Sequence, residues 1–211
     1  MIKLSPSILA ADPLCLGQAA RLAREACADE LHFDVMDGQF VPNLTFGPHI
    51  LAAMKRAEPG LYYDVHLMLE KPGLMVERFA DAGADGITVH AETEKWTDVL
   101  DQVRARGLKA GVSLRPRTLV DVLRPYLGRF ERVLLMTVEP GFGGQALMPE
   151  VLEKAAQLRD MGFEGEIEAD GGINPQNMAL LAQKGVQVLV MGTAFFKSED
   201  PCALARRVHA L

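Results

Sequence analysis

His32, Asp34 and Met36 occupy alternate positions of the run LHFDVMDG, and Asp64, His66 and Met68 do the same in YYDVHLML. If both runs are strands, a period of two puts each trio on one face. A third run, EIEADGG, places Glu168 and Asp170 on one face, and RVLLMTVEP brings Met136 to a comparable height. Two histidines and two carboxylates at the ends of three strands fit the mixed nitrogen and oxygen shell of one divalent metal ion. Histidines favour zinc; manganese, iron and cobalt accept the same ligand types. A lone buried histidine is more often a satisfied core residue, and a lone strand-end aspartate a loop cap. Four such groups arriving together at one end is what argues for a site.

Three glycine-bearing loops add a second chemistry. They are EPGFGGQ (Glu139–Gln145), DGGIN (Asp170–Asn174) and MGTAF (Met191–Phe195), and none contains lysine or arginine. Side-chain charge therefore cannot hold an anion there, but backbone amides, which glycines allow to approach closely, can donate to phosphate oxygens. Loops after the last two strands of a β/α barrel are a common phosphate position. The long loop DGQFVPNLTFGP (Asp37–Pro48) reads either as a flap over the site or as an ordered surface loop.

These residues need a scaffold that gathers strand ends. A helical stretch, a glycine and a β-rich run recur at Gly83, Gly107, Gly128, Gly162 and Gly185. Glycine just past a helix end accepts a left-handed backbone, and apolar runs after it suit buried parallel strands. Earlier strands fit Leu4–Leu9, Leu31–Met36 and Tyr62–Leu69. Eight strands are expected to begin near residues 4, 31, 62, 86, 108, 131, 165 and 187, each followed by a helical segment. Asp12-Pro13 and Asn174-Pro175 place a capping side chain before a proline at a helix start. The pattern predicts an α/β fold, one (β/α)₈ TIM barrel over residues 1–211, with a doubly wound open sheet as runner-up.

Composition sets outer bounds. A formal charge of −6 argues against nucleic acid as main partner, yet leaves room for a small anionic substrate. No apolar run is long enough for a membrane span. Cys15, Cys27 and Cys202 have no metal-type spacing, and an odd count without a secretory leader suggests free thiols in the cytoplasm. Each cysteine is expected to act as a small buried hydrophobe.

The motifs SPSILAAD, LHFDVMDGQFVPNLTFGP, DVHLM, MTVEPGFGGQ and DGGI, in this order, resemble the ribulose-phosphate 3-epimerase family over nearly the whole chain. The resemblance implies interconversion of D-ribulose 5-phosphate and D-xylulose 5-phosphate by proton transfer at carbon 3 through an enediolate. It implies a metal on His32, Asp34, His66 and Asp170, with Asp34 and Asp170 as the acid–base pair. It implies substrate contacts from Ser7 and His66, and a wall of Met36, Met68 and Met136. It places phosphate against Gly141, Phe142, Gly143 and Gly144, Gly171 and Gly172 beside Asp170, and Gly192 with Thr193. It also suggests a homo-oligomer, a dimer or hexamer. Gln39 stands where family members often carry histidine. Thr193 replaces a usual serine and resembles the allulose-6-phosphate 3-epimerases, which keeps a hexulose 6-phosphate as the alternative substrate.

Overall fold

The computed structural model describes residues 1–211. Eight parallel strands alternate with helical segments, as buried parallel strands require crossover connections. The strands are β1 Lys3–Pro6, β2 Glu30–Met36, β3 Tyr62–Met68, β4 Gly86–His90, β5 Lys109–Leu114, β6 Arg132–Met136, β7 Glu166–Asp170 and β8 Val188–Met191. Each begins within one residue of its expected start. The α-helices are α1 Leu16–Glu25, α2 Pro48–Ala57, α3 Val76–Asp81, α4 Trp96–Ala105, α5 Glu153–Asp160, α6 Met178–Gln183, α7 Thr193–Phe196 and α8 Pro201–His209.

The strand order β1-β8-β7-β6-β5-β4-β3-β2 wraps into a barrel. The join between β1 and β2 rests on a single bridge, Ser7 to His32, with Asp29 N–H donating to the Leu4 carbonyl below it. Leu31, Phe33 and Val35 face outward into the large apolar cluster beneath the helices. Their neighbours His32, Asp34 and Met36 therefore face into the barrel, as the period-two reading requires.

Two expectations about elements need correction, and one expected helical segment takes a tighter form than an α-helix. The first strand ends at Pro6 rather than Leu9, because the Ser7 hydroxyl accepts from Leu9 N–H and opens a 3-10 turn, Ile8–Ala10. The helical segment after β5 is 3-10 throughout, Val120–Tyr126, with Pro125 inside it. Proline has no N–H to give an α-helical bond. Asn174 caps a turn by accepting from Gln176 N–H, and α6 starts only at Met178. By contrast, Asp12 caps Pro13–Cys15 as expected.

The five glycines of the recurring pattern all have positive φ. The helix end after α1 departs from that pattern. Cys27 stands there with φ 58°, and it is exposed, contrary to its reading as a buried hydrophobe. Cys15 and Cys202 are half-buried. No helix is long and apolar enough to cross a membrane.

Candidate active site

Strand register aligns the chemistry at one height. Asp34 pairs with His66, Met36 with Met68, and Met136 with Asp170. One ligand atom each from His32, Asp34, His66 and Asp170 lies within 4.8 Å of the others. His66 Nδ1 is 3.0 Å from Asp34 Oδ1, and His32 Nε2 is 3.3 Å from the same oxygen. The other Asp34 oxygen accepts from the Ser7 hydroxyl at 2.8 Å.

Above this cluster lies a cavity of about 450 Å³. Asp34, Asp170 and the three methionines Met36, Met68 and Met136 form its lower part, with Ser7 at one side. Gly141–Gly144, Gly171, Gly172, Gly192 and Thr193 line it as well. No lysine or arginine does, so an anion there must be received by backbone amides and neutral side-chain donors such as the Thr193 hydroxyl. The amides of Gly143, Gly144 and Gly172 donate to no carbonyl within the chain. Gly172 has φ 67°, and a Cβ there would come 2.4 Å from the Leu147 nitrogen, so only glycine fits this approach. Phe142 stands at the rim, 56% exposed.

His66 does not line the cavity. Its ring is fully buried, with one nitrogen against Asp34 and the other 2.9 Å from His90 Nε2. The Asp37–Pro48 loop is braced rather than loose. Asn43 Nδ2 donates to the Gly141 carbonyl, Thr45 Oγ1 to the Asp34 carbonyl, and Asp37 accepts from the Glu70 amide. Asn43 and Gln145 also line the cavity and were missed in the sequence. Gln145 donates to the Glu139 and Phe142 carbonyls and so shapes the sixth loop from within.

Below the cluster the barrel interior is ionic. Arg132 donates to both Glu30 oxygens, at 2.6 and 2.7 Å, and to Glu166 at 2.7 Å. It also lies 3.4 Å from Asp64 and from Glu168. Asp64 in turn meets His32 Nδ1 at 2.9 Å. His32, Asp64 and Glu168 form a second ligand-like group, with the Arg132 guanidinium 3.4 Å from each of its two carboxylates.

These surroundings separate the two floor carboxylates. Burial pushes the Asp34 carboxyl upward, but the facing His32 and His66 rings outweigh it and hold it well below the usual carboxylate range. Burial, and then the adjacent Asp34 charge, push Asp170 up to about 7. Burial opposes a charge on His32, yet Asp34 and the carboxylates behind it raise its affinity for a proton well above the ordinary value.

The donor set fits a divalent cation. His32 Nε2 is fully buried without a hydrogen-bond partner. The edges of 3.0 and 3.3 Å to Asp34 Oδ1 compare with about 3.3 Å between tetrahedral ligands at ~2.0 Å from an ion. A proton on His32 or a cation at this point would satisfy the same convergence of acceptors.

Eight parallel strands, an acidic and imidazole cluster at their carboxyl ends and a glycine-lined chamber above it define a β/α-barrel enzyme. The ribulose-phosphate 3 epimerase family model matches residues 3–196, and the chain belongs to that family. It is 41% identical over 206 residues to ribulose-phosphate 3-epimerase of Chlamydia muridarum, covering 94% of this chain and 90% of the relative. Identity to the Bacillus subtilis enzyme of the same name is 43% over 206 residues, covering 95% and 94%. Among solved structures, KGPDC from Streptococcus mutans superposes with a TM-score of 0.75 at 16% identity, covering 100% of this chain and 97% of that one. That likeness speaks for the fold alone.

Proposed function

We propose that this enzyme interconverts D-ribulose 5-phosphate and D-xylulose 5-phosphate by two-base proton transfer at carbon 3. The observation that carries this reading is the meeting of Asp34 and Asp170 on the cavity floor, from strands three positions apart around the barrel. Inverting one carbon needs a proton acceptor on one face and a donor on the other. Asp34, held ionised by its histidines, suits the acceptor; Asp170, pushed up to about 7, suits the donor. Their roles exchange in the reverse direction. Ser7 donates to Asp34 and orients its second oxygen.

The methionine wall offers a pliable, water-excluding surface that suits either epimer. The free amides of the glycine loops would take the phosphate, and that distant anchor would orient the reacting carbon. His32, Asp34, His66 and Asp170 would hold one divalent metal ion, zinc by preference. Such an ion supplies Lewis-acid stabilisation of the negative charge that develops on the sugar oxygens as the enediolate forms. The hexulose alternative suggested by Thr193 gains nothing from the relatives described, which are named for the pentulose phosphate. A cytoplasmic homo-oligomer remains part of the proposal, supported by the three unpaired cysteines and by family resemblance.

The test is proton exchange in deuterated water. Xylulose 5-phosphate should appear carrying one deuterium at carbon 3, and ribulose 5-phosphate should gain the label as the reaction reverses. Absence of label from both sugars would overturn the reading, and faster labelling of allulose 6-phosphate would replace the substrate.

A further inference from the structure

Beyond the four clustered residues, a line of polar contacts runs from His66 to the loop after β4. His66 Nε2 is 2.9 Å from His90 Nε2, and His90 Nδ1 is 3.0 Å from Glu92 Oε2. The other Glu92 oxygen accepts from the Arg115 amide at 2.9 Å and from the Thr118 hydroxyl. Both rings are fully buried. Phe40, from the loop after β2, stacks over His90 with ring centroids 4.7 Å apart. Arg115 covers Phe40 in turn and donates to its carbonyl. Water is therefore kept from the imidazole pair.

The line has a direction. A carboxylate can only accept, so Glu92 takes a proton from His90 Nδ1. A neutral His90 then has a bare Nε2, which must accept from His66 Nε2. That leaves the lone pair of His66 on Nδ1, the atom aimed at Asp34 Oδ1. Two acceptors 3.0 Å apart repel unless a positive charge lies between them. Asp64 meets His32 Nδ1 in the same way, so a neutral His32 would turn a bare Nε2 toward that same oxygen.

We propose that His90 and Glu92 are positioning residues that fix the tautomer of His66 through two imidazole rings, so that His66 Nδ1 is preset to ligate a divalent cation. The proposal rests on reading His32, Asp34, His66 and Asp170 as a cation site. Outer partners of ligating histidines commonly change metal affinity 10–100-fold on removal. His90 extends that role by one ring, which allows a carboxylate outside the barrel wall to act on a ligand within it.

The test compares His90→Phe with His90→Gln in the full chain. Phenylalanine keeps the ring shape and removes the acceptor; the glutamine Oε1 falls near the lost Nε2 and restores one. Zn²⁺ affinity is measured by competition with a chromophoric chelator. Histidine tautomers are read from long-range proton–nitrogen correlations in ¹⁵N-histidine protein, and circular dichroism checks the fold. The zinc-bound native protein should show a protonated His66 Nε2 and a bare His90 Nε2. His90→Phe should bind Zn²⁺ about 10–100-fold more weakly, and His90→Gln should recover most of the loss. A folded His90→Phe with affinity within twofold of native would overturn the proposal, as would a proton on His90 Nε2 in the native protein. Failure of the native protein itself to bind Zn²⁺ or Mn²⁺ would instead overturn the cation-site reading beneath it.

Discussion

Asp170 shares the cavity floor with Asp34, and burial first, then the Asp34 charge, pushes its carboxyl up to about 7. Burial acts first on both carboxyls, yet only Asp34 has two imidazoles facing it. The pair is thus split into a donor and an acceptor by its surroundings rather than by residue type.

Removing either member should stop turnover. Asp34→Asn and Asp170→Asn keep the side-chain shape, so circular dichroism should show an intact barrel. Each should lower kcat by about 10³-fold or more, above the mid-range of a single acid–base group, because a cation ligand goes with it. Purified variants retaining a tenth of native activity would refute the assignment.

Stability of the cation-free protein should fall as pH rises. Asp170 and Glu168 are both raised to about 7, so the folded chain holds protons that the unfolded chain has lost between about pH 4.5 and 7. His32, raised above its ordinary 6.5, stabilises fully below that value and stops doing so as pH climbs through its folded value. The depressed Asp34 works in the opposite sense below its ordinary 3.8, and His90, lowered by burial to about 4, and His66, also lowered, partly offset the loss up to about pH 6.5. Urea titrations of chelator-treated protein at pH 5 and pH 8 should show the loss, and Zn²⁺ should reverse it at pH 8. Asp170→Asn should reduce the loss by on the order of 1–2 kcal/mol. A slope that is unchanged, or that rises with pH, would contradict these protonation states.

Gly172 and Gly143 offer a matched contrast in the chamber wall. A Cβ on Gly172 would come 2.4 Å from the Leu147 nitrogen and 2.8 Å from the Gln145 carbonyl oxygen, whereas one on Gly143 would meet nothing within 4 Å. Gly172→Ala should cost about 2 kcal/mol or more of stability, combining left-handed strain with backbone displacement. It should also raise KM for the phosphorylated sugar more than it lowers kcat. Gly143→Ala should leave stability nearly unchanged. Equal denaturation midpoints for the two variants would count against the cradle.

Cys27 is a residue out of keeping with its position. It closes the end of α1 at φ 58°, where the other five corresponding turns use glycine. Cys27→Gly should relieve the left-handed cost, partly offset by a more flexible unfolded chain, for a net gain of about 0.5–1 kcal/mol. A lower midpoint in urea would show that the thiol contributes more than the strain removes.

The legible parts of the molecule were those written in local periodicity. Alternation on the second and third strands foretold which side chains face inward, and glycine after five of the helical segments marked the next strand to within a residue. The same alternation puts Thr88 and His90 inward on β4, but Glu92 lies past the strand end, where alternation no longer says which way a side chain turns. Arg132 and Glu30 are 102 residues apart, and nothing local announces that they pair inside the barrel. The reach of Asn43 to Gly141 likewise depends on how two loops lean together, which only tertiary packing decides.

The seam between β1 and β2 lies where Ser7 reaches both His32 and Asp34. Every other joint in this cask of staves is a ladder of several rungs, and the thinnest one runs beside the chemistry. Warming should therefore spring that joint first. The enzyme would fall silent while most of its architecture still stood, and cooling would bring it back.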